Sequence, residues 1–463
     1  MKKIKVGYLP LYIKLYDDSD SHMRDPMVAY MNTLVGMLEG NGLEVVKADV
    51  CRIKPEFEEA VRMFNEADVD AVITQHLAYS PSLESIDALL KLKAEIIVLD
   101  TTPDYELISI AGYRSGITPN HGIHGVQDMC NLLKQRGRKY TICAGHAMHS
   151  EVIAETVGMC RAAAAAKAFH NARVGSVGGS FVGMGDFLVT PEHYQEKIGA
   201  QVCYMTPEVV KRYVAAVTPE DIEKEIAWDR EKFTWEIKNE ECYRAAVLSG
   251  LAVRKWAEDE KLTAATVNFL TLDDCGLPKM PFAECSKMLA RGMGYAGEGD
   301  VLTAGLVGAL RGVYYNTTFV EMFCPDWKED VILLNHMGEA NLNLAQWKPV
   351  LADVPFNYNS CGDTAAAYLC MRPGKAVYLN LAPMGEGFTL ILTPVELLNE
   401  GLEFGAYRRA MQGWMKPCKP VKEFLKEFSL LGGTHHSAMV YDADIRELEA
   451  FGRMMGFEVS VIA

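Results

Sequence analysis

Four short segments in the last third of the chain carry residue types that can hold a divalent cation and move protons. GYAGEGD centres on Glu298, NTTFVEMF carries Glu321, LLNHMGE carries His336, and GGTHHS carries His435 and His436. Two carboxylates with one or two imidazoles form a hard-to-borderline ligand set. Such a set suits Mn²⁺, Co²⁺ or Mg²⁺ with open coordination positions better than a closed tetrahedral zinc site. The glycines around Glu298 let backbone approach a ligand closely. Taken singly, each residue has a plainer reading: Glu298 as a surface-loop carboxylate, Glu321 as a charge on a helix face, His336 as a strand-end ring bonded to backbone, the double histidine as a turn. Their joint occurrence, in order and in local context, favours a shared site.

Two other segments invite chemistry and are better read without it. VGSVGGSFVGMGD follows a strand, but its spacing is not a GxGxxG opening a helix, and no phosphate-loop Lys-Ser/Thr follows. Its glycines read as turns at a domain entrance. DTTPDYE, after AEIIVLD, lacks a second carboxylate cluster to share a cation and reads as a loop.

The elements that must position these residues follow from apolar periodicity. IKVGYLPL, LEVVKADV, DAVITQHL, AEIIVLDTT and KYTICAGH read as successive buried strands separated by helix-sized segments. One such helix runs from about Pro26 to Gly40, with Met27, Met31, Leu34 and Leu38 on one face. This alternation predicts a parallel sheet with helices on both faces, whose ligand sites lie beyond the carboxyl ends of the strands. His76 and His146 fall at such ends. A helix from about Ser150 to His170 leads to the strands ARVGSVGG, GAQVCYMT and ATVNFLTL, interspersed with charge-rich helices. After about residue 310 strands are joined by Gly/Pro turns, with RPGK and PMGEG as hairpin-type punctuation. The expected fold is therefore α/β: Rossmann-like N-terminal (1–170) and central (171–310) domains, then a mainly antiparallel, barrel-like domain over 311–463.

Composition narrows the function. The formal charge is −15, from 46 Lys+Arg against 61 Asp+Glu, with no basic run to offset it. That disfavours nucleic acid, whose non-specific binding is driven by neutralising phosphates. No run of 18 apolar residues predicts a membrane span, and Pro10 and Lys14 interrupt the apolar start, which reads as a strand rather than a signal peptide. Twelve scattered cysteines without a CxxC pair read as reduced, mostly buried thiols, in keeping with a cytoplasmic protein.

The four segments resemble those of the L-arabinose isomerase and L-fucose isomerase superfamily, closer to the arabinose branch. The family's GxEGD glutamate, its glutamate after an aromatic-containing turn, its strand-end histidine and the second histidine of GGxHH match Glu298, Glu321, His336 and His436. The separations of 23 and 15 residues between the first three are similar to the family pattern. CGLPKMPFAECSKMLARGMGY resembles the family's lead-in to the first glutamate. The resemblance implies that these four bind Mn²⁺ (Co²⁺ or Mg²⁺ being alternatives) and that Glu298 and Glu321 also act as acid and base. It further implies aldose–ketose isomerisation of a small sugar through an enediolate, in a trimer-based or hexameric homo-oligomer. YTICAGH is similar to a segment supplying a histidine from a neighbouring subunit, here His146. MGDFLVT looks like the segment whose methionine contacts sugar, here Met184, and Tyr12 persists from the family's N-terminal GSQHLYG. The chain departs from the pattern at Leu9, Gly185 and Leu302, so L-arabinose is not specified.

His435 has two readings. Extended neighbours point to opposite sides, which frees it to bond a substrate oxygen; alternatively it orients His436. Other activities on the same scaffold are an epimerase or lyase using the enediolate, or a sugar-binding protein without turnover. The paired-carboxylate site argues against the last.

Overall fold

The first third forms a five-stranded sheet, and the reason is visible strand by strand. The computed structural model describes residues 3–107, 116–398 and 412–463. Within it the chain divides into two compact units, Met1–Lys167 and Ala168–Ala463. In the first, β1 (Lys5–Leu11), β2 (Glu44–Lys47), β3 (Ala71–His76), β4 (Glu95–Asp100) and β5 (Thr141–Ala144) are all parallel, in the order β2-β1-β3-β4-β5. Every residue of β3 is buried, as expected of a strand covered on both faces. The helix Asp25–Gly40 buries Met27, Met31, Leu34 and Leu38, the stripe its spacing predicts. The helix Lys54–Glu66 adds Phe57, Val61 and Phe64 to a core shared with Leu9, Val72, Ile96 and Val98.

The second unit begins with another parallel layer. Strands β6 (Arg173–Val177), β7 (Gln201–Tyr204), β9 (Ala264–Val267) and β10 (Gly294–Gly297) assemble as β10-β9-β6-β7. Between them the charge-rich helices form as their patterns require. Pro219–Lys232 opens with a capping box in which Thr218 and Asp221 satisfy each other's backbone N–H groups. The short β8 (Thr234–Glu236) pairs with neither neighbour in sequence but joins a later strand.

From residue 317 the sheet is mainly antiparallel. Strands β11 (Thr317–Asp326), β12 (Val331–Leu334), β13 (Val350–Val354), β14 (Thr364–Tyr368), β15 (Gly374–Met384), β16 (Gly387–Leu397), β17 (Gly413–Pro417), β18 (His436–Tyr441) and β19 (Glu458–Val461) follow. Six of them, β15-β18-β11-β12-β17-β16, close on themselves through the β15–β16 pairing, and β19 adds in parallel to β16. The fold class is thus α/β layers followed by a closed antiparallel barrel. PMGEG makes the β15–β16 hairpin turn as expected. RPGK does not make one: β14 pairs with β13, and β13 with β8, in a separate three-stranded sheet, so the chain changes sheets at this proline–glycine step.

Alternation decides which side chains leave the barrel. Val320, Tyr378, Ile391, Met415 and Met439 fill one core beneath Phe424 and Phe428 of the helix Val421–Leu430. With a two-residue period, Phe319 and Glu321 on β11, and His436 on β18, point to the opposite face. That face meets the helix Val301–Arg311, which lies against β10 and β9. No described helix is long and apolar enough to cross a membrane.

Candidate metal centre

Glu321 and His436 are direct partners in the β11–β18 ladder, so their side chains emerge side by side. On its other edge the Glu321 carbonyl accepts the Asn335 N–H, which pins the end of β12 and sets His336 beside the carboxylate. His336 Nε2 lies 3.8 Å from Glu321 Oε2. Glu321 is therefore a strand residue, not one on a helix face.

Glu298 arrives from the parallel layer. It follows β10 with φ of 63°, a left-handed conformation that costs a residue with a side chain about 1 kcal/mol or more and that clusters at functional sites. Two backbone bonds hold it there: its N–H donates to Val267 O at 3.1 Å and its carbonyl accepts the Phe181 N–H at 3.0 Å. A side chain on Gly299 would strike the Gly179 carbonyl. Gly299 is thus the glycine that lets the two loops touch, while Gly178, Gly179 and Gly183 of the segment after β6 adopt positive φ, in keeping with their reading as turns. Glu298 Oε2 ends 3.4 Å from His436 Nε2 and 3.6 Å from His435 Nε2.

Glu298, His435 and His436 form one group of donor atoms all within 4.8 Å of one another, and Glu321, His336 and His436 form a second, joined through His436. Ligands ~2.1 Å from a common ion sit ~3 Å apart at right angles and ~4 Å apart across it. The 3.4 and 3.8 Å separations fall in that range. The donor set also passes a chemical test: His436 Nε2 is buried and makes no hydrogen bond, a costly state for a polar atom unless something else takes its lone pair.

Aromatic rings fix the imidazoles. Phe187 stacks on His436 at 5.0 Å with the planes 5° apart. Phe319 presents its edge to His336 and His436, each at 5.0 Å. The electrostatics divide the two glutamates. Burial raises the Glu298 pKa, but His435 and His436 outweigh it and hold the carboxyl well below the usual range. Burial dominates at Glu321 and raises it. Without an ion, burial alone would lower His436, yet the adjoining Asp300 and Glu298 carboxylates bring it up to about 10, so a cation at Nε2 would bind in exchange for a proton.

Sequence reasoning missed four residues that shape this centre. Asp300 Oδ2 is 3.0 Å from His436 Nδ1, and Glu339 Oε2 is 2.8 Å from His336 Nδ1. Asp186 Oδ2 accepts from His435 at both the backbone N–H (3.0 Å) and Nδ1 (2.7 Å). Asn380, inside the barrel, accepts the Thr434 N–H and donates to the His436 carbonyl, fastening the GGTHHS segment. Asp300 carried a legible signal as the N-cap of an apolar helix; the others are long-range or post-turn contacts.

The expectation for His435 needs correction. Its ring does not point away from His436: the centroids are 4.3 Å apart. β18 begins only at His436, so strand alternation does not reach His435. It bonds Asp186 rather than His436. Met184 lies half-buried in the loop between Phe181 and Asp186, both of which are anchored at the site. Tyr12 and His146 belong to the first unit. Tyr12 is fully buried, with its hydroxyl unbonded among the described residues. His146 rests against Tyr105 and His149, and its Nδ1 accepts the Met148 N–H at 3.2 Å. His76 is buried with burial pushing it down to about 3.

Fold and site together define an α/β protein with an appended closed barrel and a candidate divalent-metal centre where the two layers of the second unit meet. Residues 192–315 match the L-arabinose isomerase central domain and residues 316–458 the L-arabinose isomerase C-terminal domain. The chain is 24% identical to the L-arabinose isomerase of Aeromonas salmonicida, covering 100% of this chain and 95% of that protein. It is 25% identical to that of Clostridium beijerinckii (86% and 82% covered) and 26% to that of Acidothermus cellulolyticus (88% and 85%). This chain belongs to the L-arabinose isomerase superfamily.

Proposed function

We propose that this protein is a metal-dependent isomerase interconverting a small aldose and its ketose through an enediolate. The observation that carries the reading is the pair of donor groups, Glu298–His435–His436 and Glu321–His336–His436, which share His436. Its relatives are L-arabinose isomerases, which supports an aldose–ketose reaction. These four side chains would hold the ion, Mn²⁺ being the first choice and Co²⁺ or Mg²⁺ the alternatives. A bound divalent ion would polarise the sugar carbonyl and favour negative charge on its oxygen.

The chain's own residues then move protons. Glu298 and Glu321 divide the work: one takes the proton from the carbon beside the carbonyl while the other serves the two sugar oxygens. Return of the proton to the neighbouring carbon completes the exchange, and the roles reverse for the other direction. His435, with 31% of its side chain exposed and its Nδ1 fixed by Asp186, offers Nε2 to a substrate hydroxyl, and Met184 lines the same approach. His146 would serve the sugar by reaching a neighbouring copy's site in a trimer-based homo-oligomer; Tyr12, with no exposed surface, packs within its own unit. Operation in the reducing cytoplasm fits twelve free thiols.

The test is to incubate metal-loaded protein with a panel of aldoses and ketoses in deuterated water. Ketose formation with deuterium entering C1 or C2 supports the isomerase. An epimer or a cleaved product in its place would assign the alternative chemistry on this scaffold.

A further inference from the structure

We propose that Asp300 and Glu339 are positioning residues, each fixing the proton of a site histidine on Nδ1 so that the Nε2 lone pairs of His436 and His336 face Glu298 and Glu321. The inference rests on the metal-centre reading above and adds to it two residues that do not themselves reach the shared space.

An ionised carboxylate can only accept hydrogen bonds, so at 3.0 and 2.8 Å the two Nδ1 atoms are the donors. A neutral imidazole carries one N–H; placing it on Nδ1 leaves Nε2 bare. Both carboxyl groups are fully buried, and each has a second partner that holds it in place. Asp300 Oδ1 accepts the Thr303 N–H at 2.9 Å at the start of the helix Val301–Arg311, where the helix dipole favours a negative charge. Glu339 Oε1 accepts from the Tyr295 hydroxyl at 3.3 Å. His436 Nε2, in a ring with no exposure, makes no hydrogen bond and stands 3.4 Å from Glu298 Oε2. The same Nδ1–carboxylate arrangement recurs on two histidines, His336 just beyond the end of β12 and His436 at the start of β18.

The two carboxylates differ in how they answer substitution. In Asp300→Asn the Thr303 N–H claims the amide oxygen and turns the NH₂ toward His436 Nδ1. That ring must then accept at Nδ1 and carry its proton on Nε2, where it blocks a metal. Glu339→Gln has an escape: the Tyr295 hydroxyl can rotate to accept the amide N–H, leaving the amide oxygen for His336.

The experiment titrates metal-free wild type, Asp300→Asn, Glu339→Gln and Glu339→Ala with Mn²⁺ by calorimetry and records the metal-free Tm of each. Expected is a 10- to 100-fold loss of Mn²⁺ affinity in Asp300→Asn and Glu339→Ala, the scale seen for groups that orient metal-binding histidines. Glu339→Gln loses only a few-fold. The metal-free Tm of Asp300→Asn stays close to wild type, because the helix cap survives. Wild-type affinity in Asp300→Asn and Glu339→Ala overturns the proposal while leaving the metal centre intact. Absence of Mn²⁺ binding by the wild type overturns the metal-centre reading and this one with it. Should Asp300→Asn fail to fold, ¹⁵N-histidine spectra of Zn²⁺-loaded wild type decide: protonated Nδ1 on His336 and His436 supports the assignment, and metal-bound Nδ1 overturns it.

Discussion

The imidazole of His336 lies directly over Gly297: a methyl group on that glycine would sit 2.7 Å from Cε1 and 3.1 Å from Nε2. The last residue of β10 is therefore bare because the His336 ring occupies the space a side chain needs. Gly297→Ala should displace His336 by several tenths of an ångström or more, weakening Mn²⁺ binding by roughly 10-fold, in the range for lost ligand orientation. Calorimetric titration alongside far-UV circular dichroism would check this; unchanged affinity in a folded variant would show that His336 is not a ligand.

The carboxylate assignments make a sharper demand. Glu298→Gln and Glu321→Gln should each lower kcat by on the order of 10²–10⁴-fold, the usual contribution of a positioned acid or base. Turnover within a few-fold of wild type in either variant would remove that glutamate from the chemistry.

Metal removal should act on stability as well as on turnover. Saturating a site that exists only in the folded state, at about 100 times the dissociation constant, adds about 2.7 kcal/mol. Tm should therefore rise by several degrees when Mn²⁺ is added to chelator-treated protein, with isomerase activity returning in parallel. Activity that survives exhaustive chelation would sink the scheme.

The Asp186–His435 pair should matter for turnover and not for the ion. Asp186→Asn is expected to reduce kcat by roughly 10-fold while leaving Mn²⁺ affinity unchanged, as befits a residue orienting a side chain that positions the substrate. A large loss of metal affinity would instead make His435 a ligand, completing the triad it forms with Glu298 and His436.

A buried ion-pair network away from the centre sets the acid limit. Glu225 accepts from Arg254 at 2.6 and 2.8 Å and from Lys287 at 2.7 Å. Burial opposes its charge, but these cations prevail and lower it to about 2. With an unfolded value near ~4.3 the folded pKa is depressed, so the contribution is present above that value and lost as pH falls toward 2. The difference corresponds to on the order of 3 kcal/mol. Urea unfolding at pH 6, 4 and 3 should show falling stability in the wild type and a flatter dependence in Glu225→Gln, whose stability is lower at pH 6 because a buried cation loses its partner. Parallel slopes for the two proteins would refute the assignment.

Much of the fold was legible in the sequence because it rests on local periodicity. The stripe Met27, Met31, Leu34 and Leu38 required only the 3.6-residue repeat, the helix after Ser150 its alanine-rich run, and DAVITQH only a continuous apolar run. RPGK misled because a turn signal reports a bend and not the sheet to which the next strand belongs. For the same reason β8 gave no hint that it would pair with β13, more than a hundred residues away. The centre was legible where chemistry sits in compact motifs, as with Glu298 and His436. Asp186 and Glu339 were not, since what makes them important is a hydrogen bond across the fold or around a turn. His435 was misread by one residue of strand boundary.

The Glu321–His436 pairing makes register a determinant of chemistry. Inserting one residue into β11 or β18 would rotate one partner into the apolar interior and offer its neighbour, Val320 or Ser437, in exchange. The barrel could still close, since its hydrogen-bonded ladder is indifferent to side-chain identity, but it would close around an inert protein. Tolerance to length change in this lineage should therefore concentrate at turns such as Pro383–Gly387, while the paired stretches Thr317–Glu321 and His436–Val440 keep a fixed count.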